Sequence, residues 1–190
     1  MDHYRRLGMD KLEEKSQPLH SGMKKIAIVG PESTGKSELA QQLARDFDCE
    51  WVPEYARFYL DRLMRNYEQS DLLQMARGQI AWEDDKAQYN NDWIFCDTNL
   101  IVIKIWSDFK YGTTDSWIEE NLTSRKYDFY LLTDIDLPWR HDPQREHPTR
   151  RKELFDLYHD YLLKNHLPFA IVRGIEEDRL TCAKKALAHL

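Results

Sequence analysis

Two patterns of apolar and polar positions alternate along the chain: short apolar runs, and longer stretches in which apolar residues recur every three or four positions. The short runs predict buried strands, and the periodic stretches predict helices with one apolar face. The predicted strands cover residues 24–30, 49–53, 93–97, 127–133 and 168–173. The predicted helices cover residues 36–47, 54–66, 71–90, 100–106, 116–125, 150–165 and 175–190. This alternation predicts an α/β domain, with a parallel sheet of about five strands covered by helices on both faces.

The first 22 residues do not share this pattern. They are polar and end in Ser21-Gly22, just before Met23 opens the first predicted strand. We therefore predict an N-terminal extension over residues 1–22 and one domain over residues 23–190. A chain of 190 residues has the size of a single ordinary domain with a sizeable core, so we expect no second catalytic domain.

The loop after the first predicted strand carries the strongest chemical signal. Residues 30–37 read Gly-Pro-Glu-Ser-Thr-Gly-Lys-Ser and fit the pattern G-x-x-x-x-G-K-[ST]. Its glycines let backbone N–H groups surround phosphate oxygens at a helix N-terminus. Lys36 would reach the β- and γ-phosphates of ATP, and the Ser37 hydroxyl would bind Mg²⁺. The predicted nucleotide-binding residues are Gly30, Glu32, Ser33, Thr34, Gly35, Lys36, Ser37 and Glu38.

A second polar cluster follows the predicted strand at residues 93–97. A carboxylate at the end of a strand beside the loop strand can meet magnesium directly or through water, and Asp97 has this position. We predict that Ser37 and Asp97 hold or orient the metal ion. The alternative is that Asp97 or Asn99 only caps the next helix.

An acid, a base and two aromatic residues lie together where the second predicted strand turns into a helix. We predict that the phosphate acceptor binds at this end of the strand. Glu54 would accept the proton of the attacking hydroxyl, and Trp51 and Tyr55 would lie beside the acceptor. Arg57 would either bind the transferring phosphate or pair with Glu54. The alternatives are a first-turn carboxylate favoured by the helix dipole for Glu54 and a core position for Trp51.

The polar stretch at residues 134–151 contains three prolines and four arginines directly after a predicted strand. Phosphoryl transfer requires positive charge near the transferring group and exclusion of water, and a closing loop supplies both. We therefore predict a lid over residues 134–151, with Arg140 and Arg145 as catalytic cations. The alternative is a solvated charged loop. His141 and His147 have no metal-binding spacing and are predicted to lie on the surface.

Composition narrows the class of partner. The formal net charge of −6 argues against a nucleic acid and favours a small molecule. The three cysteines form neither a paired framework nor a metal-binding spacing, which suits a reduced cytoplasmic protein. No apolar run is long enough to cross a bilayer, so we expect no membrane association. The oligomeric state is not predicted.

Five motifs together resemble the ribosylnicotinamide kinase domain, which usually forms the C-terminal half of a bifunctional NMN adenylyltransferase/ribosylnicotinamide kinase. They are the phosphate loop at 30–37, Trp51-x-x-Glu54-Tyr55-Ala56-Arg57, Arg77-Gly78-Gln79, Phe95-x-Asp97-Thr98 and the strand at 127–132. The lid pattern Asp136-x-Pro138-Trp139-x-x-Asp142 adds to them. The resemblance covers about residues 23–190 and implies a P-loop kinase fold.

The resemblance also implies a reaction. Members of this family transfer the γ-phosphoryl group of ATP to the 5′-hydroxyl of nicotinamide riboside, giving nicotinamide mononucleotide for NAD salvage. The bifunctional pattern includes an adenylyltransferase domain for which residues 1–22 give no room, so we expect the second NAD-forming step elsewhere. The pyridinium of the riboside is cationic and would stack on an aromatic ring. The candidates are Trp51, Tyr55, Trp82 and Trp139, with Trp51 and Tyr55 preferred by position.

Two other functions use the same loop. One is a kinase for another nucleoside-like small molecule, in which only the acceptor pocket differs. The other is a regulatory nucleotide-binding ATPase that changes conformation or binds a partner. A GTPase is less compatible with the sequence because no Asn-Lys-x-Asp base-reading motif occurs.

Overall fold

The computed structural model describes residues 22–89 and 92–190. Of the predicted N-terminal extension only Gly22 lies within these ranges, and the predicted end of the third helix at residue 90 lies outside them. The strands are β1 (Lys24–Val29), β2 (Trp51–Val52), β3 (Trp93–Asp97), β4 (Phe129–Thr133) and β5 (Phe169–Val172). All neighbouring strands pair in parallel, in the order β2-β3-β1-β4-β5, which confirms the predicted five-stranded parallel sheet.

Helices lie in the connections between the strands, and a last helix follows β5. They are α1 (Lys36–Asp46), α2 (Tyr55–Arg62), α3 (Gln69–Ala87), α4 (Leu100–Tyr111), α5 (Ser116–Ser124), α6 (Arg151–Lys164) and α7 (Glu177–Leu187).

The central strand β1 explains why the sheet is covered on both faces. Ile26, Ala27, Ile28 and Val29 are all fully buried, and successive side chains of a strand point to opposite faces. Ile26 and Ile28 pack in one apolar cluster with residues of α1 and α7, whereas Ala27 and Val29 pack in another with residues of α4 and α6. A third cluster joins α2, α3, α4 and α5.

Two helix ends differ from the predicted ones by four residues or more, and both matter for the site. Helix α2 ends at Arg62 rather than at residue 66, so an irregular connection over residues 63–68 precedes α3. Helix α4 continues past residue 106 to Tyr111, where Gly112 ends it with a φ of 75°. Phe109 and Lys110 therefore lie three and four residues after Trp106 on one continuous helix, within reach of the same face.

None of the helices in the described ranges combines the length and the apolar character needed to cross a bilayer.

Candidate active site

The loop between β1 and α1 has the backbone of a phosphate-binding nest. Gly30 has a φ of 137°, and a Cβ there would lie 2.5 Å from the Thr133 hydroxyl oxygen, so only glycine fits. Gly35 has a φ of 75° and immediately precedes Lys36, the first residue of α1. The loop thus leads directly into the N-terminus of a helix, the end at which backbone N–H groups favour a phosphate.

Some side chains of the loop hydrogen-bond within the core, and others hydrogen-bond to the backbone of residues 134–151. The buried Thr34 hydroxyl donates to the Pro31 carbonyl oxygen at 2.7 Å and lies 2.7 Å from the Thr133 hydroxyl. Thr34 therefore uses its side chain to hold the loop's shape rather than to face a ligand. Ser33 accepts a hydrogen bond from the Arg140 backbone N–H at 2.8 Å, and Glu32 accepts one from the His147 N–H at 3.0 Å.

Lys36, Ser37 and Asp97 form the charged centre of the site. Lys36 Nζ donates to the Pro31 carbonyl oxygen at 2.8 Å, which keeps the ammonium at the loop. Burial lowers the pKa of Lys36, while the charges of Glu54, Asp97 and Glu32 oppose that shift. Burial raises the pKa of Asp97 to about 7, aided by the charge of Glu54 and opposed by a hydrogen bond from Ser37 and by Lys36.

Asp97 is not the helix cap that the alternative interpretation required. The α4 cap is Asn99, whose side-chain oxygen accepts from the Ile101 N–H at 3.0 Å. Asp97 ends β3 with 1% of its surface exposed, and its Oδ1 has no hydrogen-bond partner among residues 22–89 and 92–190. The next residue, Thr98, has a φ of 72°, an uncommon conformation for a non-glycine residue that turns the chain sharply after the carboxylate.

Glu54 and Arg57 lie together on the other side of this centre. Glu54 precedes α2, but its side chain makes no capping hydrogen bond. Its carboxylate instead lies 3.3 Å from Arg57 Nε, and Arg57 also reaches Asp142 of the predicted lid at 2.8 Å. Although partial burial acts to lower the pKa of Arg57, the Glu54 and Asp142 carboxylates raise it above its ordinary value. Arg57 thus pairs with both carboxylates.

Residues 134–151, which we call the lid segment, cross the mouth of the loop. The segment contains turns but no helix or strand until α6 begins at Arg151. Arg151 donates to the Ser33 carbonyl oxygen at 3.2 Å and to that of Leu137 at 2.8 Å. Arg145 donates to the Arg140 carbonyl oxygen at 2.6 Å, so the two predicted catalytic arginines lie together.

One cavity of about 380 Å³ connects these groups. Its lining includes all the predicted loop residues, Glu54 and Arg57 on α2 and its approach, and Arg140 and Arg145 of the lid segment. Asp97 lies behind this lining, where its charge still influences Lys36. The structure therefore brings the predicted nucleotide-binding and catalytic residues into one site.

The predicted aromatic residues do not line this cavity. Trp51 packs against the core cluster that contains Phe95, so it occupies the core position of the alternative interpretation. The Tyr55 ring packs on Gly78 and meets Trp82 edge-on at 4.8 Å. Trp82 and Trp139 are also absent from the lining. These residues were predicted to bind the acceptor from their positions in the chain, but in the structure their side chains lie outside the cavity lining.

Other side chains, which sequence reasoning missed, complete the cavity. Trp106 and Phe109 of α4, Tyr158 of α6 and Arg179 of α7 line it. His147 also lines it and was wrongly predicted to lie on the surface: its side chain is 18% exposed and its ring meets Phe109 edge-on at 5.0 Å. The apolar pattern of α4 contained the only available signal for Trp106, and it indicated core packing.

The donor groups of the site determine whether a metal ion would fit there. Within residues 22–89 and 92–190 no group of three or more His, Cys, Asp or Glu side chains is arranged to hold a metal ion. A magnesium ion bound mainly by phosphates and water does not need such a group, because one hydroxyl and one carboxylate suffice beside the nucleotide. Ser37 and the unpartnered Oδ1 of Asp97 fit that donor set.

Together, the parallel sheet, the loop at the end of its central strand and the buried carboxylate on the neighbouring strand define a nucleotide-binding domain with the fold of P-loop kinases. The model of the AAA domain family matches residues 25–179, so the chain belongs to that family.

Curated relatives refine this placement. The chain is 29% identical to the trifunctional NAD biosynthesis/regulator protein NadR of Escherichia coli (strain K12), over 80% of this chain and 38% of that protein. It is 27% identical to the NadR protein of Salmonella typhimurium, over 80% of this chain and 39% of that protein. The match confirms the family resemblance drawn from the motifs, and the chain spans less than two fifths of the length of these relatives.

Solved structures show the same fold. A NadR protein in complex with NR superimposes with a TM-score of 0.75 at 21% identity, covering 88% of this chain and 50% of that one. The thymidylate kinase from Ehrlichia chaffeensis superimposes with a TM-score of 0.63 at 13% identity, covering 89% of this chain and 100% of that one. At these identities the structural likeness supports the fold alone.

Proposed function

We propose that this protein transfers the γ-phosphoryl group of ATP to the 5′-hydroxyl of nicotinamide riboside, producing nicotinamide mononucleotide. The observation that carries the proposal is the shared cavity, in which the phosphate loop faces Glu54 and an aromatic surface across a space of about 380 Å³. That volume is of the size that small-molecule sites have. A site in which a carboxylate lies near a phosphate loop suits transfer to a hydroxyl.

Each charged residue has a role in this reaction. The loop N–H groups and Lys36 bind the β- and γ-phosphates, and Ser37 and Asp97 would hold Mg²⁺, which neutralises phosphate charge when bound. Glu54 orients the acceptor hydroxyl and accepts its proton, while Arg57 holds the Glu54 carboxylate in place at 3.3 Å. Arg140 and Arg145 supply positive charge from the lid segment, where both line the cavity.

The acceptor ring would lie on the aromatic surface of α4. Trp106 and Phe109 line the cavity, whereas Trp51 and Tyr55 do not. A cationic pyridinium over an indole or phenyl face gains about 0.5–2 kcal/mol.

The comparisons support the choice of substrate. The relatives are proteins of NAD biosynthesis, and a structure with this fold was solved in complex with NR. The sequence motifs that resemble the ribosylnicotinamide kinase domain lie at Glu54, Arg57 and Asp97, which are residues of the proposed site.

The experiment is a turnover screen of the purified chain with ATP and Mg²⁺. Nicotinamide riboside, uridine, thymidine and deoxyadenosine are supplied separately, and ADP and phosphorylated product are both measured. We expect nicotinamide riboside to be used at least about tenfold better than the neutral nucleosides, as kcat/KM, because loss of its cation–π contact removes up to about 2 kcal/mol.

Two results would overturn the proposal. A preference for a neutral nucleoside would assign the site to another nucleoside kinase. Slow ATP hydrolysis that no nucleoside accelerates would instead indicate a regulatory ATPase. The Trp106→Leu variant should lose more kcat/KM with the cationic riboside than with a neutral ribosylated analogue, whereas Trp82→Leu, outside the cavity, serves as the matched control.

A further inference from the structure

The orientation of Trp106 is fixed by a residue outside the cavity lining. The indole Nε1 of Trp106 donates to the Tyr67 hydroxyl at 2.9 Å, and the two rings meet edge-on with centroids 5.0 Å apart. Tyr67 lies in the irregular connection between α2 and α3, so it reaches α4 from a different part of the chain.

The Tyr67 hydroxyl also contacts the lid segment. It donates to Glu146 Oε2 at 2.6 Å. Lys110 of α4 joins both partners: its ammonium donates to the Tyr67 hydroxyl and to Glu146 Oε1, the latter at 2.9 Å. The ammonium lies 3.8 Å from the centre of the Tyr67 ring. One hydroxyl therefore connects the acceptor surface to the lid segment.

The pKa shifts of Tyr67 and Glu146 agree with a hydrogen bond in which the Tyr67 hydroxyl donates to the Glu146 carboxylate. Burial, followed by the hydrogen bond to Glu146, raises the pKa of Tyr67 well above its ordinary value. Partial burial acts to raise the pKa of Glu146, but hydrogen bonds from Tyr67 and Lys110 bring it below its usual range. The phenol is thus a neutral donor and Glu146 a charged acceptor.

From Glu146 the connection continues to the phosphate loop. The Glu146 backbone N–H donates to Glu32 at 3.2 Å, and the His147 N–H donates to the same carboxylate at 3.0 Å. Glu32 is part of the loop itself. The acceptor surface and the phosphate loop are therefore joined through consecutive contacts of Trp106, Tyr67, Glu146 and Glu32.

We propose that Tyr67 is a positioning residue that sets the orientation of Trp106 against the acceptor and ties that orientation to the lid segment through Glu146. The proposal rests on the proposed function, since it concerns the acceptor half of that site. Tyr67 is not a catalytic residue because it does not line the cavity. Its hydroxyl therefore affects how well the acceptor is held and not the rate once both substrates are bound.

The test is Tyr67→Phe, which keeps the ring and removes only the hydroxyl. We expect the KM of the nucleoside that the wild type uses best to rise by about 5- to 20-fold, while kcat and the KM of ATP change by less than about threefold. Hydrogen exchange of the peptide that contains Glu146 and His147 should become about fivefold faster or more. The double variant Tyr67→Phe/Glu146→Gln should lose less than the sum of the two single changes.

Tyr59→Phe is the matched control. Tyr59 lies on α2, and its hydroxyl donates to Asp71 at 2.6 Å rather than to a residue of the lid segment. Its removal should reduce stability but leave the acceptor KM and the exchange of the lid peptide unchanged.

The outcomes separate this proposal from the proposed function. If the wild type phosphorylates no nucleoside, the proposed function is wrong, and the exchange measurement still decides whether Tyr67 holds the lid segment. Unchanged exchange together with an unchanged acceptor KM in Tyr67→Phe would overturn the positioning role. A parallel rise in the KM of ATP and of the acceptor would also overturn it, because a merely structural defect affects both.

Discussion

Glu54 is a residue whose chain position suggested two roles. It precedes a helix, where the helix dipole stabilises a carboxylate. Its side chain nevertheless makes no capping hydrogen bond and lies in the cavity beside Arg57. Glu54→Gln should lower turnover by about 10²- to 10⁴-fold with ATP affinity retained, because the amide cannot accept the hydroxyl proton. Steady-state kinetics and ATP binding check this, with Glu120→Gln on α5 as an exposed control. An equal fall in ATP affinity would instead assign Glu54 to the nucleotide site.

Asp97 can be tested separately from helix capping because Asn99 supplies the α4 cap. Asp97→Asn keeps the shape of the side chain but removes the charge that attracts Mg²⁺ or its bound water. We expect the concentration of Mg²⁺ needed for half-maximal activity to rise by about tenfold or more, with little change in melting temperature. Asn99→Ala should show the opposite pattern, since loss of a cap costs about 1 kcal/mol. Identical magnesium titrations for wild type and Asp97→Asn would remove the metal role.

At the scale of elements, the contact of α2 with α3 depends on a glycine within a helix. A Cβ at Gly78 would lie 2.0 Å from the Tyr55 ring, which Trp82 confines from another side. Helix propensity alone predicts that Gly78→Ala stabilises the protein by about 1 kcal/mol. We expect instead a loss of about 1–3 kcal/mol in unfolding free energy from overpacking. Chemical denaturation measures the sign, and combining the change with Tyr55→Ala should recover part of the loss.

The start of α3 depends on a buried carboxylate. The Asp71 carboxylate accepts hydrogen bonds from the Tyr59 hydroxyl and from the two terminal nitrogens of Arg65. It also accepts one from the Glu68 backbone N–H, and Glu68 and Asp71 together form a capping box at the start of α3. Hydrogen bonds from Arg65 and then Tyr59 lower the pKa of Asp71 below its usual range, although burial acts in the opposite direction. The ionised carboxylate is therefore more favourable in the folded than in the unfolded chain.

This shift defines a pH dependence. The pKa of Asp71 is lower in the folded chain than in the unfolded chain, where it is near 4. The stability that this difference gives is fully present above the unfolded-state pKa and is lost as pH falls towards the folded-state pKa. Asp71→Asn should therefore cost about 2 kcal/mol at pH 7, and the difference from wild type should shrink between about pH 4 and pH 2. Denaturation at several pH values checks this, with Asp85→Asn on the same helix as an exposed control. A constant difference would contradict the assigned ionic contribution.

For the whole molecule, nucleotide binding should stabilise the fold because the loop, β1 and α1 belong to its centre. A ligand that binds only the folded state at 100 times its Kd adds about 2.7 kcal/mol. A non-hydrolysable ATP analogue should therefore raise the melting temperature, and Lys36→Ala should remove most of the shift while leaving the unliganded fold intact. Lys152→Ala, exposed on α6, is the control. A full shift with Lys36→Ala would show that the lysine does not bind the phosphates.

Features of the fold that depend on residues close together in the chain could be predicted from local sequence patterns. The apolar run at β1 and the alternation of strands and helices are local patterns that predicted the fold class and the number of strands. The glycines and Lys36 of the loop are a local pattern that predicted the phosphate site. Asp97 and Glu54 were also predicted from sequence as site residues, because parallel strands place their carboxyl ends at one edge of a sheet.

Which aromatic residues line the cavity depends on the tertiary structure and not on local sequence. Trp51 and Tyr55 are near Glu54 in the chain, but their rings pack on the core and on Gly78. Trp106 is far from Glu54 in the chain, yet it lines the cavity on α4, which begins just after the carboxyl end of β3. Its link to Tyr67 and the lid segment joins three separate parts of the chain. Side-chain direction at such long-range contacts depends on packing between elements, which local periodicity does not encode.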